Sequence, residues 1–187
     1  MSKIDYHETD LRNSEYIEKT VKKYYPEIVY WEHTEGSKDR YDVDFTVDIQ
    51  DGVMSCTAEC KLRYNINMTN FPNSYLNSDK YRWLMEHKQY PHVFIGYEDG
   101  VIVYYLPYLP KDEIYSDMDE MNRKRDELPK NKPKGYIPPE NKWCKWEWVW
   151  NQTNNYHKGG YGWELNVKLP IWDRGEYKGI ELLYNVN

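Results

Sequence analysis

Phenylalanine is nearly missing from this 187-residue chain, with 3 Phe against 20 Tyr and 8 Trp. Its aromatic area therefore comes from rings with polar tips, which fill a core and still reach a hydrogen-bond partner or water. Cysteine is scarce too, with 3 residues. Cys56 and Cys60 stand four apart in a strand-like segment, which separates them by roughly 13 Å, too far for a disulfide. The five histidines and three cysteines form no zinc-ligand spacing. No run approaches the roughly 20 apolar residues of a membrane span, and the N-terminal MSKIDYHETD lacks the apolar stretch of a secretory signal. Mean hydropathy is −1.00. A cytoplasmic protein without membrane association is expected. P-loop, dinucleotide-binding and nucleophile-elbow patterns are missing, which leaves metal-assisted hydrolysis as the hydrolytic chemistry to look for.

Positive charge is also short. The formal net charge is −6, unfavourable for approach to a polyanion. The excess is local: residues 1–110 hold 12 basic and 18 acidic side chains, whereas residues 111–187 hold 13 of each. Within 121–145, eight basic side chains face three acidic ones in a Pro-, Lys- and Asn-rich stretch. That stretch reads as a basic loop after a helix at 112–128, with Tyr136, Trp143 and Trp146 available to stack an unpaired base. As simple solvation such a loop needs no function.

Against these absences stands Tyr41–Arg63, YDVDFTVDIQDGVMSCTAECKLR. Asp51-Gly52 predicts a two-residue type I′ turn, so Gln50 pairs with Val53. Outward from there, apolar meets apolar and Asp44 falls directly across from Glu59, about 5 Å away at Cβ, with Lys61 on the same face. Two carboxylates that close favour a cation between them, and oxygen ligands suit Mg²⁺ or Mn²⁺. An ammonium beside the metal can orient a water or stabilise charge on a scissile phosphate. A solvated polar sheet face carrying ordinary Asp, Glu and Lys residues fits the same pattern. Asp42 shares the face and replaces Asp44 if the turn is longer.

Flanking segments add order. Residues 11–25 read as a helix with Leu11, Ile17, Val21 and Tyr24 on one face and Pro26 as its stop. Ser78 is placed as the cap of a second helix carrying Tyr81, Leu84, Met85 and Lys88. Residues 92–106 read as another hairpin around a second Asp-Gly. In the C-terminal part, Trp146, Trp148 and Trp150 alternate as one strand, 154–162 reads as a loop, and 163–169 as another strand.

An Asp on one strand and Glu59-Cys60-Lys61 on the next, between helices in this order, resembles the PD-(D/E)XK nuclease superfamily. Within it residues 11–107 are most similar to archaeal-type Holliday junction resolvases and related phage enzymes, which carry a helix glutamate and a Gly-Ser-Lys loop. Glu18, with Glu15 as rival, and Gly36-Ser37-Lys38 match those features, whereas no Pro precedes the acidic residue. The resemblance implies an α/β restriction-endonuclease-like core, a mixed central sheet flanked by helices. It implies Asp44, Glu59 and the Cys60 carbonyl as Mg²⁺ or Mn²⁺ ligands, Lys61 acting on the attacking water, and Glu18 completing the site. Lys38, Arg63, Lys80 and Arg82 are the expected phosphate contacts. The expected activity is endonucleolytic cleavage of branched or structured DNA by a homodimer, with the Trp-rich strand as candidate interface, in a bacterial or phage-infected cell. A restriction or phage DNA-degrading nuclease, and a catalytically silent interaction protein, are the competing expectations. One domain is expected, a core over about 1–108 and an aromatic extension over about 109–187.

Overall fold

The computed structural model describes residues 6–34, 43–63, 65–70, 73–108, 148–155, 160–170 and 179–185, with isolated positions between 112 and 127. Helix α1 (Tyr6–Tyr24) is followed by β1 (Ile28–His33), β2 (Val43–Ile49) and β3 (Gly52–Leu62). After these come β4 (Asn73–Asn77), α2 (Ser78–His87), β5 (Pro91–Tyr97), β6 (Gly100–Tyr105), β7 (Trp148–Asn155), β8 (Gly160–Pro170) and β9 (Ile180–Tyr184). The mixed α/β class expected from the sequence is present, in a six-stranded sheet of order β1-β2-β3-β5-β6-β9. Only β3 and β5 run parallel in it. A parallel pair needs a crossover, and the chain between β3 and β5 contains β4 and α2.

The chain passes between two compact units at 109/110, beside the expected boundary at 108, and also at 72/73, 82/83 and 170/171. It divides into one compact unit of 1–72, 83–109 and 171–187, and a second of 73–82 and 110–170. β9, from the expected extension, closes the edge of the central sheet beside β6. β4, from the expected core, joins β8 and β7 in a three-stranded antiparallel sheet. Leu165, Val167 and Leu169 are buried along β8, with Asn166 buried between the first two. The two strands read at the C-terminal end are longer than expected, reaching Asn155 and starting again at Gly160. Of the basic stretch only Arg123 and Glu127 are described; the rest of it, Trp143, Trp146 and the Trp148 and Trp150 side chains lie outside the described residues, and those described between 112 and 123 are helical.

In the first unit, α1 lies on one face of the six-stranded sheet. Ile17 and Val21, one turn apart, pack with Val43, Phe45, Cys56, Ala58, Phe94, Val101, Val103 and Leu183. That spacing gives a single apolar stripe. Ring stacking runs through it: Trp31 lies 5.6 Å from Phe45 and 5.8 Å from Phe94, centroid to centroid. The polar tips are used as the composition requires, since Trp31 Nε1 donates to Ser14 Oγ at 3.3 Å and Tyr16 OH donates to the Tyr97 carbonyl. Tyr24, expected on the buried stripe, is 38% exposed and donates instead to the Tyr184 carbonyl. The helix cap is Asn77 rather than Ser78: its Oδ1 accepts from the amides of Asp79 and Lys80 at 2.9 and 3.2 Å, which satisfies two otherwise unpaired helix-start donors.

The Asp51-Gly52 turn differs from the type I′ expectation, and the second Asp-Gly turn is built in the same way. Ile49 pairs with Gly52 and Tyr97 with Gly100, so the two-residue loops are Gln50-Asp51 and Glu98-Asp99. A type I′ turn needs positive φ at both central residues. Here the positive φ falls on the glycine alone, +145° at Gly52 and +157° at Gly100. The cost of left-handed backbone at a side-chain-bearing aspartate is thereby avoided. At Gly100 space also demands glycine, because a Cβ would sit 2.0 Å from the Leu183 carbonyl oxygen.

Candidate active site

Moving the turn shifts the β2–β3 register by two residues from the expected one, so Asp44 lies across from Thr57, not Glu59. A shift of two preserves the face of every side chain. Asp44, Thr57, Glu59 and Lys61 therefore still share one face, with Asp44 and Glu59 as diagonal neighbours about 7–8 Å apart. Thr57 Oγ1 donates to Asp44 Oδ1 at 2.6 Å, which fixes the carboxylate on the strand. On its other side Asp44 pairs directly with Glu32 of β1. Glu32 accepts a hydrogen bond from the Tyr30 hydroxyl. That bond, with partial burial and the nearby charges of Glu32 and Asp44, raises the Tyr30 pKa.

Burial deepens across the three carboxylates. Glu32 is exposed, Asp44 half-buried and Glu59 5% exposed. Across the parallel ladder, Glu59 pairs with Val93 and Lys61 with Ile95, both fully buried. A carboxylate beside fully buried aliphatics is an expensive choice, of several kcal/mol unless compensated. Lys61 is half-buried.

Other expected members are distributed differently. α1 covers the opposite face of the sheet, the one bearing Val43, Phe45, Cys56 and Ala58. Asp44, Glu59 and Lys61 alternate with those residues and point away from it. Glu18, next to Ile17, pairs with Lys22 at 2.7 Å along the helix; Glu15 is exposed on the same helix. The expectation that Glu18 completes the site is therefore not met, because the sheet lies between the helix and the carboxylates. The Cys60 side chain packs against the α1-side core. Arg63 is half-buried at the end of β3, its amide donating to the Gly96 carbonyl at 2.8 Å. Lys80 and Arg82 belong to the second unit, where Arg82 is bonded to Asp119 and lies 5.3 Å from the Tyr115 ring centroid. Lys38, Gly36, Ser37 and Asp42 lie outside the described residues.

Sequence reasoning missed Glu32, Tyr30 and Thr57. The run Ile28-Val29-Tyr30-Trp31 is dense in β-branched and aromatic residues, the signal that would have placed β1 beside β2. Thr57 needed the correct register.

Asp44 and Glu59 offer hard oxygen donors of the kind Mg²⁺ and Mn²⁺ take, and Thr57 presets one of them. Among the described residues no group of three or more His, Cys, Asp or Glu side chains is gathered for a metal. A metal held here would complete its shell with waters and substrate oxygens, as Mg²⁺ commonly does. No family model, curated protein or solved structure matches the chain. Among the described residues no helix is long and apolar enough to cross a membrane.

Proposed function

We propose that the protein is a metal-dependent endonuclease that hydrolyses DNA phosphodiester bonds, with Asp44, Glu59 and Lys61 as its centre. The observation that carries this reading is Glu59, a 5% exposed carboxylate on the same sheet face as Asp44 and Lys61. A face built only for packing would place an apolar residue beside Val93. The order α1, β1–β3 with a hairpin, α2 and β5, and the parallel β3–β5 pair, agree with the helix–hairpin–helix–strand order that the PD-(D/E)XK resemblance implies.

When bound, Mg²⁺ or Mn²⁺ supplies a water of lowered pKa and neutralises phosphate charge. Asp44, oriented by Thr57, and Glu59 would hold it, and the resemblance would add the Cys60 carbonyl as a neutral donor. Lys61 would set its ammonium against charge developing on the non-bridging phosphate oxygens, or orient the attacking water. Glu32 would extend the negative surface next to Asp44. Branched or otherwise structured DNA as the substrate, and a homodimer as the working form, rest on the resemblance alone.

The test is cleavage of linear, nicked, flapped and four-way DNA by the purified protein with Mg²⁺ or Mn²⁺. The reading predicts metal-dependent cleavage that Lys61→Ala abolishes while metal binding survives. Inertness on all four forms, with no metal-dependent thermal shift, would overturn it.

A further inference from the structure

The sheet face opposite the carboxylates carries a cavity of about 280 Å³. It lies entirely within the first unit. Phe45 and Phe94, 3% and 1% exposed, form its floor. Its rim holds Tyr25, Tyr108, Glu27 and Glu181, of which Tyr108 is 61% exposed. Tyr105 and His92 complete an aromatic wall: the Tyr105 ring lies 4.9 Å from His92 and meets Tyr108 edge-on at 4.7 Å.

The polar groups in this wall have one sign. Among the described lining residues there are two glutamates and no lysine or arginine. Tyr25 donates its hydroxyl to Glu181 Oε2, which fixes that carboxylate at the rim; burial and this bond push the Tyr25 pKa up, so the hydroxyl keeps its proton. His92 Nδ1 lies 2.9 Å from the Tyr90 carbonyl oxygen. A carbonyl only accepts, so Nδ1 carries the hydrogen. Burial lowers the His92 pKa to about 4, and the neutral ring then presents Nε2 as an acceptor. Acceptors and ring faces over an apolar floor are complementary to a ligand that brings positive charge, N–H donors and a small apolar body.

We propose that this cavity, walled by His92, Tyr105 and Tyr108 and rimmed by Glu27 and Glu181, is a binding site for a small organic cation, an amine or amidine on an apolar body. The ligand's N–H groups are taken by Glu181 and His92 Nε2, and its apolar part lies over Phe45 and Phe94. At about 280 Å³ the cavity is just below the range of roughly 300–1,000 Å³ common for drug-sized ligands, so the occupant is fragment-sized. The site is separate from the carboxylates on the other face and does not depend on the nuclease reading.

Calorimetric titration of the full chain tests it. Benzylamine and benzamidine, cations at neutral pH, are compared with neutral benzyl alcohol and anionic benzoate. The two cations are expected to bind, with the alcohol at least about 5-fold weaker and benzoate weaker still. Glu181→Gln and Tyr108→Ala, both at exposed positions that leave the core intact, should each weaken benzylamine by about 5-fold, with unchanged thermal midpoints in the absence of ligand. Failure of both cations to bind at up to about 10 mM would overturn the proposal. So would benzyl alcohol or benzoate binding as tightly as benzylamine, or affinity unchanged in both variants.

Discussion

The β2–β3 and β5–β6 hairpins are built alike and used differently. Each turns through two residues ending in Asp, with positive φ on the following glycine, and each contributes one face to the α1-side core. On the other face they diverge. β5–β6 presents Val93, Ile95, Ile102 and Tyr104, all fully buried. β2–β3 presents Asp44, Thr57, Glu59 and Lys61 in the same layer, one ladder step away. Turn chemistry and backbone are shared, so the polar residues of the β2–β3 hairpin are not a by-product of its geometry. They sit where the neighbouring hairpin shows that apolar packing is possible, and that substitution of packing by charge is the contrast on which the proposed site rests.

The largest expected effect breaks this contrast at its chemical end. Lys61→Ala, Asp44→Asn and Glu59→Gln should each lower DNA cleavage on the order of 10²-fold or more, read as single-turnover rates with Mg²⁺. A packing role predicts the opposite ranking, with stability falling and no cleavage to lose. Asp42→Ala beside Asp44→Asn shows which aspartate the site uses. In the packed hairpin, Phe94→Ala should cost about 3–5 kcal/mol in denaturant unfolding, because Phe94 stacks on Trp31 and Phe45 and is 1% exposed.

Acid should distinguish the two faces next. The His92 pKa lies near 4 in the fold, against an ordinary value of 6.5, because burial disfavours the charged ring. The unfolded chain therefore binds more protons than the native one between those values. Stability present above pH 6.5 is lost as pH falls towards 4, on the order of 3 kcal/mol from this residue. His92→Phe should flatten that part of the pH profile of unfolding; a wild-type profile already flat from pH 6.5 to 4 would contradict the buried neutral ring.

Smaller changes sharpen the comparison. Glu59→Gln should remove cleavage while the far-ultraviolet circular dichroism of the fold stays unchanged, since the substitution keeps the side chain's size and shape. Thr57→Ala should slow cleavage about 10-fold and cost about 1 kcal/mol, through the lost hydrogen bond to Asp44. Glu18→Ala should change cleavage less than about 2-fold and stability by about 0.5 kcal/mol, the worth of an exposed helix pair.

Alternation made the sharing of one face by Asp44, Glu59 and Lys61 legible, because period-2 patterning survives any even register error. The register itself was not legible. Asp-Gly is compatible both with a type I′ turn and with a loop that places glycine after it, and nothing local in Gln50-Asp51-Gly52 separates the two. α1 was visible through Ile17 and Val21, yet which sheet face it covers depends on Phe45 and Ala58 being the packed set. That choice is tertiary, and it removed Glu18 from the site. β1 and β9 were missed because Val29, Tyr30 and Tyr184 are exposed at the sheet's two edges, which blurs the alternation that marks a strand. The cap at Asn77 was misplaced by one residue, since Asn and Ser both serve there.

Mn²⁺ binding by the purified protein, followed by electron paramagnetic resonance with and without the Asp44→Asn/Glu59→Gln pair of substitutions, tests the central claim most directly. The account predicts tight Mn²⁺ uptake by the native chain and its loss in the doubly substituted protein, with the fold intact by circular dichroism. Equal Mn²⁺ uptake by both proteins, or none by the native chain, would contradict it.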